Sequence, residues 1–336
     1  MTPISRRAFG RLLGTTAGFG LAGVTGADPG DGGRRRGQDG SDAVETFVSM
    51  PGERTPENLA IGPGGDLFFG VTDGQVRRVA RETAASATDL TLADTDLIGE
   101  PPAAAGVEAT PEGPLYVAVN ADGVPSGVWT VPLDGGEPRP YATVSGQFTN
   151  DIVYDPGRDR LLVTESFAGA VYEVPVGEGG VPVDDAEATE WLDAGVLDTE
   201  SFGANGLTFR GADELLVAVT RATDGEGADV GRLVRVQIRD DGAAGEPELF
   251  LESPAIFGAD GITVRGEQVY VAANGRNEVV RVTTAGESAV VADADDGLVF
   301  PSDVVFGAGS GGSADLFVCN FATTDPGSAG ILRTRP

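Results

Sequence analysis

Six positions spaced 42 to 55 residues apart could bring together the side chains of a metal site. They are Glu57, Ala105, Asn150, Asn205, Asp260 and Ser302. Four of the six carry carboxylate or amide oxygens, which are ligands suited to Ca²⁺, Mg²⁺ or Mn²⁺. Two carboxylates among them balance the charge of a divalent cation. Asn and Asp before glycine are also common turn residues, as at Asn205 and Asp260, so each alone is compatible with a structural role.

The same six positions begin a repeated pattern along the chain. Each repeat has a short apolar run, a turn rich in Gly, Pro or Asp, and a second apolar run, which is typical of a β-hairpin. The six copies begin with TPENLAI at 55, AAGVEAT at 104, TNDIVYD at 149, ANGLTF at 204, ADGITV at 259 and PSDVVF at 301. Repeats of this period indicate four-stranded propeller blades. The first strand of each blade lines the central channel, so the six positions should meet around the axis.

The outer strands predict how the ring closes. A third strand follows every hairpin, but only five fourth strands can be assigned, beginning with ATDLTLA at 87–93. The segment ETFVSM at 45–50 precedes the first repeat, and we expect it to pair with residues 330–335 as the outer strand of blade six, which removes an exposed sheet edge. The predicted fold is all-β: one six-bladed β-propeller over residues 43–336, closed by an N-terminal strand.

Composition excludes several classes of function. The formal net charge is −29, and the chain has no histidine, no lysine and one cysteine, Cys319. Catalytic triads and dyads that need an imidazole base are excluded, as are tetrahedral zinc sites and intramolecular disulfides. Nucleic acid would be repelled, because its binding relies on Lys and Arg. The acidity suggests a halophilic protein whose self-repulsion is screened in molar salt. The alternative is an ordinary acidic extracellular protein.

The N-terminus is interpreted as an export signal. Residues 1–27 carry Arg6 and Arg7 ahead of a weakly apolar, glycine-rich stretch, which resembles a twin-arginine signal peptide. Residues 28–42 are rich in glycine and charge and are predicted to be a disordered linker. We therefore expect a secreted monomer with no membrane span after signal cleavage.

Six blades that carry Glu, Asn, Asn and Asp at the aligned position of blades one, three, four and five resemble the senescence marker protein/gluconolactonase/luciferin-regenerating enzyme family. The motifs that carry the resemblance are ENLAI at 57, NDIVYD at 150, NGLTF at 205 and DGITV at 260. The resemblance implies that Glu57, Asn150, Asn205 and Asp260 bind a catalytic Ca²⁺ or another divalent cation. It also implies that Asp260 is the base or the nucleophile. Lactonases and diisopropylfluorophosphatase-like phosphotriesterases share this fold, but the channel histidine of the phosphotriesterase has no counterpart here.

Further residues are candidates for contacts with a substrate. Ser302 occupies the sixth position and could touch substrate or a metal-bound water, with a turn role as the alternative. Phe148, Phe202 and Phe257 precede the third, fourth and fifth positions and could form an apolar pocket wall; packing between blades is the alternative. The leading hypothesis is a calcium-dependent lactonase or related esterase acting on a small molecule. The competing hypothesis is a non-catalytic secreted propeller that binds a ligand or a partner protein.

Overall fold

The computed structural model describes residues 43–52, 54–199, 202–222, 229–308 and 315–336. The predicted signal peptide (1–27) and linker (28–42) lie outside these ranges, so both remain predictions. None of the helices in the described ranges has the length and apolar character needed to cross a membrane.

Six antiparallel sheets form the predicted blades. Blade one consists of Pro56–Ile61, Leu67–Val71, Gln75–Val79 and Asp96–Gly99. Blade two consists of Val107–Ala109, Leu115–Val119, Gly127–Val131 and Arg139–Thr143. Blade three consists of Thr149–Asp155, Arg160–Glu165, Ala170–Pro175 and Thr189–Asp193.

Blades four to six complete the ring. Blade four consists of Ala204–Phe209, Glu214–Ala222, Val230–Ile238 and Ala244–Ser253. Blade five consists of Ala259–Arg265, Gln268–Ala273, Glu278–Val282 and Ser288–Ala292. Blade six consists of Pro301–Phe306, Leu316–Asn320, Gly330–Thr334 and Glu45–Ser49. The first strand of each blade contacts the first strand of the next, and that of blade six contacts that of blade one. The six-bladed β-propeller is therefore confirmed.

Helical segments are few and short in the described ranges. One α-helix covers Arg81–Ser86. The 3₁₀ turns cover Leu92–Asp94, Glu178–Gly180, Pro254–Ile256, Asn274–Arg276, Ala294–Asp296 and Pro326–Ser328.

The N-terminal strand closes the ring, as the sequence predicted. Glu45 pairs with Arg333 and Ser49 with Gly330 in an antiparallel ladder. The Arg333 guanidinium donates to the Glu45 carboxylate and also lies over the Phe47 ring, 5.0 Å from its centroid. The fully buried Phe47 ring packs on Phe317 of the same blade. This closure joins the two ends of the propeller by backbone pairing, an ion pair and apolar packing.

The fourth strand of blade one lies later in the chain than we expected. The prediction placed it at 87–93, but the strand that pairs with Gln75–Val79 is Asp96–Gly99. Within 87–93, the only strand is Leu90–Thr91, and it pairs in parallel with Val48–Ser49 of blade six. The backbone N–H and the hydroxyl of Thr91 both donate to the Asp94 carboxylate, which turns the chain into a 3₁₀ segment and ends this short strand.

Apolar side chains pack mainly between neighbouring blades. The second strands are buried along their length; in blade two, every residue from Leu115 to Val119 is fully buried. One core cluster joins blades two and three, and another joins blades three and four. This packing fixes the first strands around the axis, where the candidate site lies.

Candidate functional site

The predicted site positions lie at a β-bulge that recurs in the first strands. In five blades, the pairing of the first and second strands shifts register at this point. In blade two, Ala105 and Gly106 bond to the backbone of Ala118 at the matching place. A bulge places two consecutive residues opposite one and redirects their side chains. Each blade therefore contributes two residues to the axial end of its first strand.

These residues form two rings. The first axial ring comprises Glu57, Ala105, Asn150, Asn205, Asp260 and Ser302. The second axial ring comprises Asn58, Gly106, Asp151, Gly206, Gly261 and Asp303. Every side chain of the first axial ring is buried, between 2% and 5% exposed.

Asp260 is the best-anchored carboxyl group of the first axial ring. Asn274 Nδ2 donates to Asp260 Oδ2 at 2.8 Å. Glu57 lies close enough for the Asp260 charge to act on it. Glu57 Oε2 is buried and has no hydrogen-bond partner among the described residues. Ser302 is turned to the protein, since its hydroxyl donates to the backbone oxygen of Glu57 at 2.8 Å.

The two asparagines are oriented by hydroxyl groups on the second strands. Asn150 Nδ2 donates to Ser166 Oγ at 2.9 Å, and Asn205 Nδ2 donates to Thr220 Oγ1 at 2.8 Å. Because the two ends of a planar amide point apart, anchoring Nδ2 turns Oδ1 away from the second strand. The oxygen is the end that binds a hard cation.

Ser166, Thr220 and Asn274 share one structural position, although the sequence singled out only Ser166 and Asn274, at the ends of second strands, and not their equivalence. Each follows the second-strand residue that pairs with the start of the first strand. The three residue types differ, so no single residue type marked the position, although alignment of the second strands would have placed them in register.

The second axial ring locks neighbouring blades together. Asn58 Oδ1 accepts the N–H of Val107, Asp151 Oδ2 accepts that of Leu207, and Asp303 Oδ2 accepts that of Leu59. In each case, the side chain of one blade holds the first strand of the next. The polar groups of this ring thus have a structural function that the sequence analysis did not predict.

Glycines fill the remaining positions of the second axial ring because there is no room for a side chain. A Cβ on Gly106 would stand 2.4 Å from the backbone oxygen of Asn150, and one on Gly261 would stand 1.9 Å from Asp303 Oδ1. A Cβ on Gly206 would meet the backbone oxygen of Asp260 at 2.4 Å.

Four carboxyl groups surround the axis, two more than the prediction counted. Burial, and then the charges of Asp260, Asp303 and Asp151, raise the pKa of Glu57 well above its ordinary value. Burial raises the pKa of Asp260 to about 8, against the hydrogen bond from Asn274. The pKa of Asp151 rises to about 6 by burial, and that of Asp303 rises by burial and by the Asp151 charge. The site by itself disfavours its own negative charge, so a cation would be stabilised there.

The donor set fits a divalent cation only if amide oxygens take part. Among the described residues, no three Asp, Glu or Cys side chains lie close enough together to hold a metal ion. The first axial ring instead offers two carboxylates and two amides. Three features are consistent with a hard divalent cation here. Glu57 Oε2 lacks a partner among the described residues, the Asn150 and Asn205 amide oxygens are turned away from the second strands, and the carboxyl groups repel one another.

Two of the three phenylalanines predicted to form an apolar wall lie together in the structure. Phe148 and Phe202 pack edge to face at 5.4 Å between ring centroids. They belong to one cluster, which we call the phenylalanine cap: Phe148, Phe167, Phe202, Phe300 and Phe321. Phe257 lies outside the cap, where its ring covers Gly275 and is contacted by the Arg221 guanidinium.

Glu165 anchors the loop that carries part of this cap. Its fully buried carboxylate accepts the backbone N–H groups of Gln147, Phe148 and Ala168. It therefore joins the start of the first strand of blade three to the end of the second.

Comparison with known proteins gives a fold-level relationship. The family described as strictosidine synthase-like, N-terminal, matches residues 45–79. This stretch covers the closing strand and the first three strands of blade one, and it includes Glu57. No curated protein matches the chain.

Several solved structures share the propeller at low sequence identity. A gluconolactonase from Xanthomonas campestris superposes with a TM-score of 0.58 at 14% identity, covering 88% of this chain and 95% of the other. Regucalcin from Agrobacterium tumefaciens, described as a calcium-binding protein, gives 0.55 at 16%, with 86% and 95% covered. An auxiliary nutrient binding protein from Bacteroides thetaiotaomicron gives 0.62 at 10%, with 87% and 75% covered. At these identities, the likeness establishes the fold alone.

Proposed function

We propose that this protein is a calcium-dependent hydrolase of lactones or related esters. The observation that carries the proposal is the first axial ring. Its Glu57, Asn150, Asn205 and Asp260 side chains carry carboxylate and amide oxygens around one axis, and Glu57 Oε2 has no partner in the part of the chain that the structure describes. The gluconolactonase and the calcium-binding regucalcin among its structural neighbours support the same direction.

These four residues would hold Ca²⁺, with Mg²⁺ or Mn²⁺ as the other candidates. Their combined charge of −2 neutralises a divalent ion. When bound, such an ion acts as a Lewis acid on the ester carbonyl oxygen. Ser166 and Thr220 keep the Asn150 and Asn205 amides in place before the ion arrives, which reduces the ordering required on binding.

Asp260 is the proposed catalytic residue. It is the carboxylate of the first axial ring that accepts an amide N–H, from Asn274, and this bond favours its ionised form and fixes its orientation. As a base, it removes a proton from the water that adds to the carbonyl carbon, and the proton passes to the alkoxide released when the ester C–O bond breaks. As a nucleophile, its oxygen adds to that carbon, the same C–O bond breaks to release the alcohol, and water then hydrolyses the acyl–aspartate. An ¹⁸O-labelling experiment tests the second route, because label passes from Asp260 to the product acid in a single turnover when water hydrolyses the acyl–aspartate at the Asp260 carbonyl.

A competing proposal is a non-catalytic propeller that binds a ligand or partner. The auxiliary nutrient binding protein among the structural neighbours favours it, since that protein has the same fold. Metal analysis of the purified protein, followed by a screen of lactones, aryl esters and paraoxon in high salt with and without chelator, distinguishes the two. Turnover lost on chelation and restored by Ca²⁺ supports the hydrolase; a metal-loaded protein without turnover of any substrate supports the binding propeller.

The cellular setting is likewise proposed from the sequence. Arg6 and Arg7 favour twin-arginine export, and the charge of −29 favours a halophilic, extracellular monomer that binds no nucleic acid. Mass spectrometry of the N-terminus of the exported protein tests cleavage near residue 27.

A further inference from the structure

The phenylalanine cap lies at the end of the channel where the first axial ring sits. Phe148, Phe202 and Phe300 stand two or three residues ahead of Asn150, Asn205 and Ser302. Phe167 and Phe321 follow the ends of second strands. In an antiparallel hairpin, the start of the first strand and the end of the second share one edge of the sheet. All five rings are therefore at the same end of the propeller.

The cap spans blades that face each other. Phe148 and Phe167 belong to blade three, and Phe300 and Phe321 belong to blade six. These blades are opposite in a ring of six, so one cluster that contains both lies across the axis. Four of its rings are at most 5% exposed. A substrate that reaches the first axial ring from this end must contact these rings.

Phe300 is held in this cluster against its backbone preference. Its φ is +52°, in the left-handed region that an aromatic residue rarely adopts. The Asn277 side chain fixes it there, with Oδ1 accepting the Phe300 N–H at 2.7 Å. Phe321 then bonds back to the Phe300 carbonyl at 3.3 Å. Strain of this kind persists where the surrounding structure imposes it, often at ligand sites.

We propose that the phenylalanine cap binds the hydrocarbon part of the substrate and that Phe300 determines specificity. The substrate class is then a lactone or ester with an alkyl or aryl side chain, in preference to a polyhydroxylated sugar lactone. An alkyl or aryl group of the substrate replaces apolar contacts between the rings with apolar contacts to itself. A polyol would lose its water among ring faces that offer no hydrogen-bond partners. This inference rests on the proposed function for its reaction and on the cap alone for its ligand chemistry.

The test compares two substrates in two variants of blade six. Phe300→Gly removes the ring and suits a positive φ, so the backbone is retained. Phe306→Ala is the control, since Phe306 ends the same first strand and packs on Tyr270 instead. We expect Phe300→Gly to lower the ratio of kcat/KM for δ-decanolactone to kcat/KM for glucono-δ-lactone at least tenfold. We expect Phe306→Ala to preserve the ratio between the two substrates.

A binding measurement separates this inference from the proposed function. N-phenyl-1-naphthylamine, a neutral apolar fluorophore, should bind the wild type and bind Phe300→Gly at least tenfold more weakly. Loss of fluorophore binding in Phe300→Gly and in Phe202→Leu supports the cap even if no lactone is hydrolysed. The inference would be overturned if the wild type did not bind the fluorophore or if it preferred glucono-δ-lactone to δ-decanolactone. The proposed function would still stand in that case if the wild type hydrolysed any lactone.

Discussion

Asn58 Nδ2 donates a hydrogen bond to Asp151 Oδ1 at 3.1 Å, joining blade one directly to blade three. The contact passes blade two at Gly106, where no side chain intervenes. Asn58 also accepts the N–H of Val107, so a single amide connects three consecutive blades. The second axial ring therefore supports the geometry of the first, which lies one residue earlier on the same strands.

The first prediction concerns the glycine at the centre of this connection. Gly106→Ala places a Cβ 2.4 Å from the Asn150 backbone oxygen, so blades two and three must move apart. We expect the free energy of unfolding to fall by about 1–3 kcal/mol, the usual cost of overpacking. Gly195→Ala is the control, because a Cβ there meets nothing within 4 Å. Denaturant unfolding measures both, and equal stability of the two variants would contradict the packing described here.

The second prediction concerns ring closure. Phe47→Ala removes a fully buried ring between Phe317 and Arg333, and we expect it to lower the free energy of unfolding by about 3–5 kcal/mol. Thr46 is the exposed neighbour of Phe47, and Thr46→Ala should change the free energy of unfolding by less than about 0.5 kcal/mol. Deletion of residues 43–50 should destabilise the entire ring, because it exposes a strand edge of blade six. If the deletion variant unfolded at the same temperature as the wild type, the closing strand would not stabilise the ring.

The repeats predicted the blades because hairpin patterning is local, and they predicted the first axial ring because its residues recur at one place in each repeat. The second axial ring went unnoticed because three of its members are glycines, whose role depends on the approach of the next blade. The fourth strand of blade one was misplaced because the Thr91–Asp94 turn interrupts an otherwise extended run. Phe300 and Phe321 join Phe148 across the axis, a contact that local pattern cannot indicate.

The third prediction concerns pH in the metal-free protein. The folded pKa of Asp260 is about 8 and that of Asp151 about 6, both above the ordinary 3.8. Between these values the folded state binds more protons than the unfolded state, so stability falls as pH rises. We expect chelated protein at constant salt to lose stability from about pH 4 to pH 8, and excess Ca²⁺ to reduce that loss. A metal-free protein that gains stability over this window would contradict the burial of these carboxyl groups.

The fourth prediction concerns Asn274 as a positioning residue. Asn274→Ala removes the 2.8 Å hydrogen bond that favours the ionised Asp260. We expect the acidic limb of the kcat/KM profile to move to higher pH, with a rate loss of about tenfold at pH 7. Asn120→Ala is the matched control, because Asn120 follows the second strand of blade two and its amide bonds to the Thr149 backbone, not to a carboxyl group. An unchanged pH profile in Asn274→Ala would contradict this positioning role and leave Asn274 with a role in stability alone.

The most direct test is the rate of lactone and ester hydrolysis as a function of Ca²⁺ concentration in chelated wild type, Glu57→Gln and Asp260→Asn. The wild type should be inactive until Ca²⁺ is returned. Glu57→Gln lowers the ligand charge from −2 to −1, so it should need more Ca²⁺ but recover. Asp260→Asn should stay about 10²–10⁴ slower at every Ca²⁺ concentration, because the base or nucleophile is gone. Full recovery of Asp260→Asn by Ca²⁺, or undiminished hydrolysis by the chelated wild type, would contradict this account.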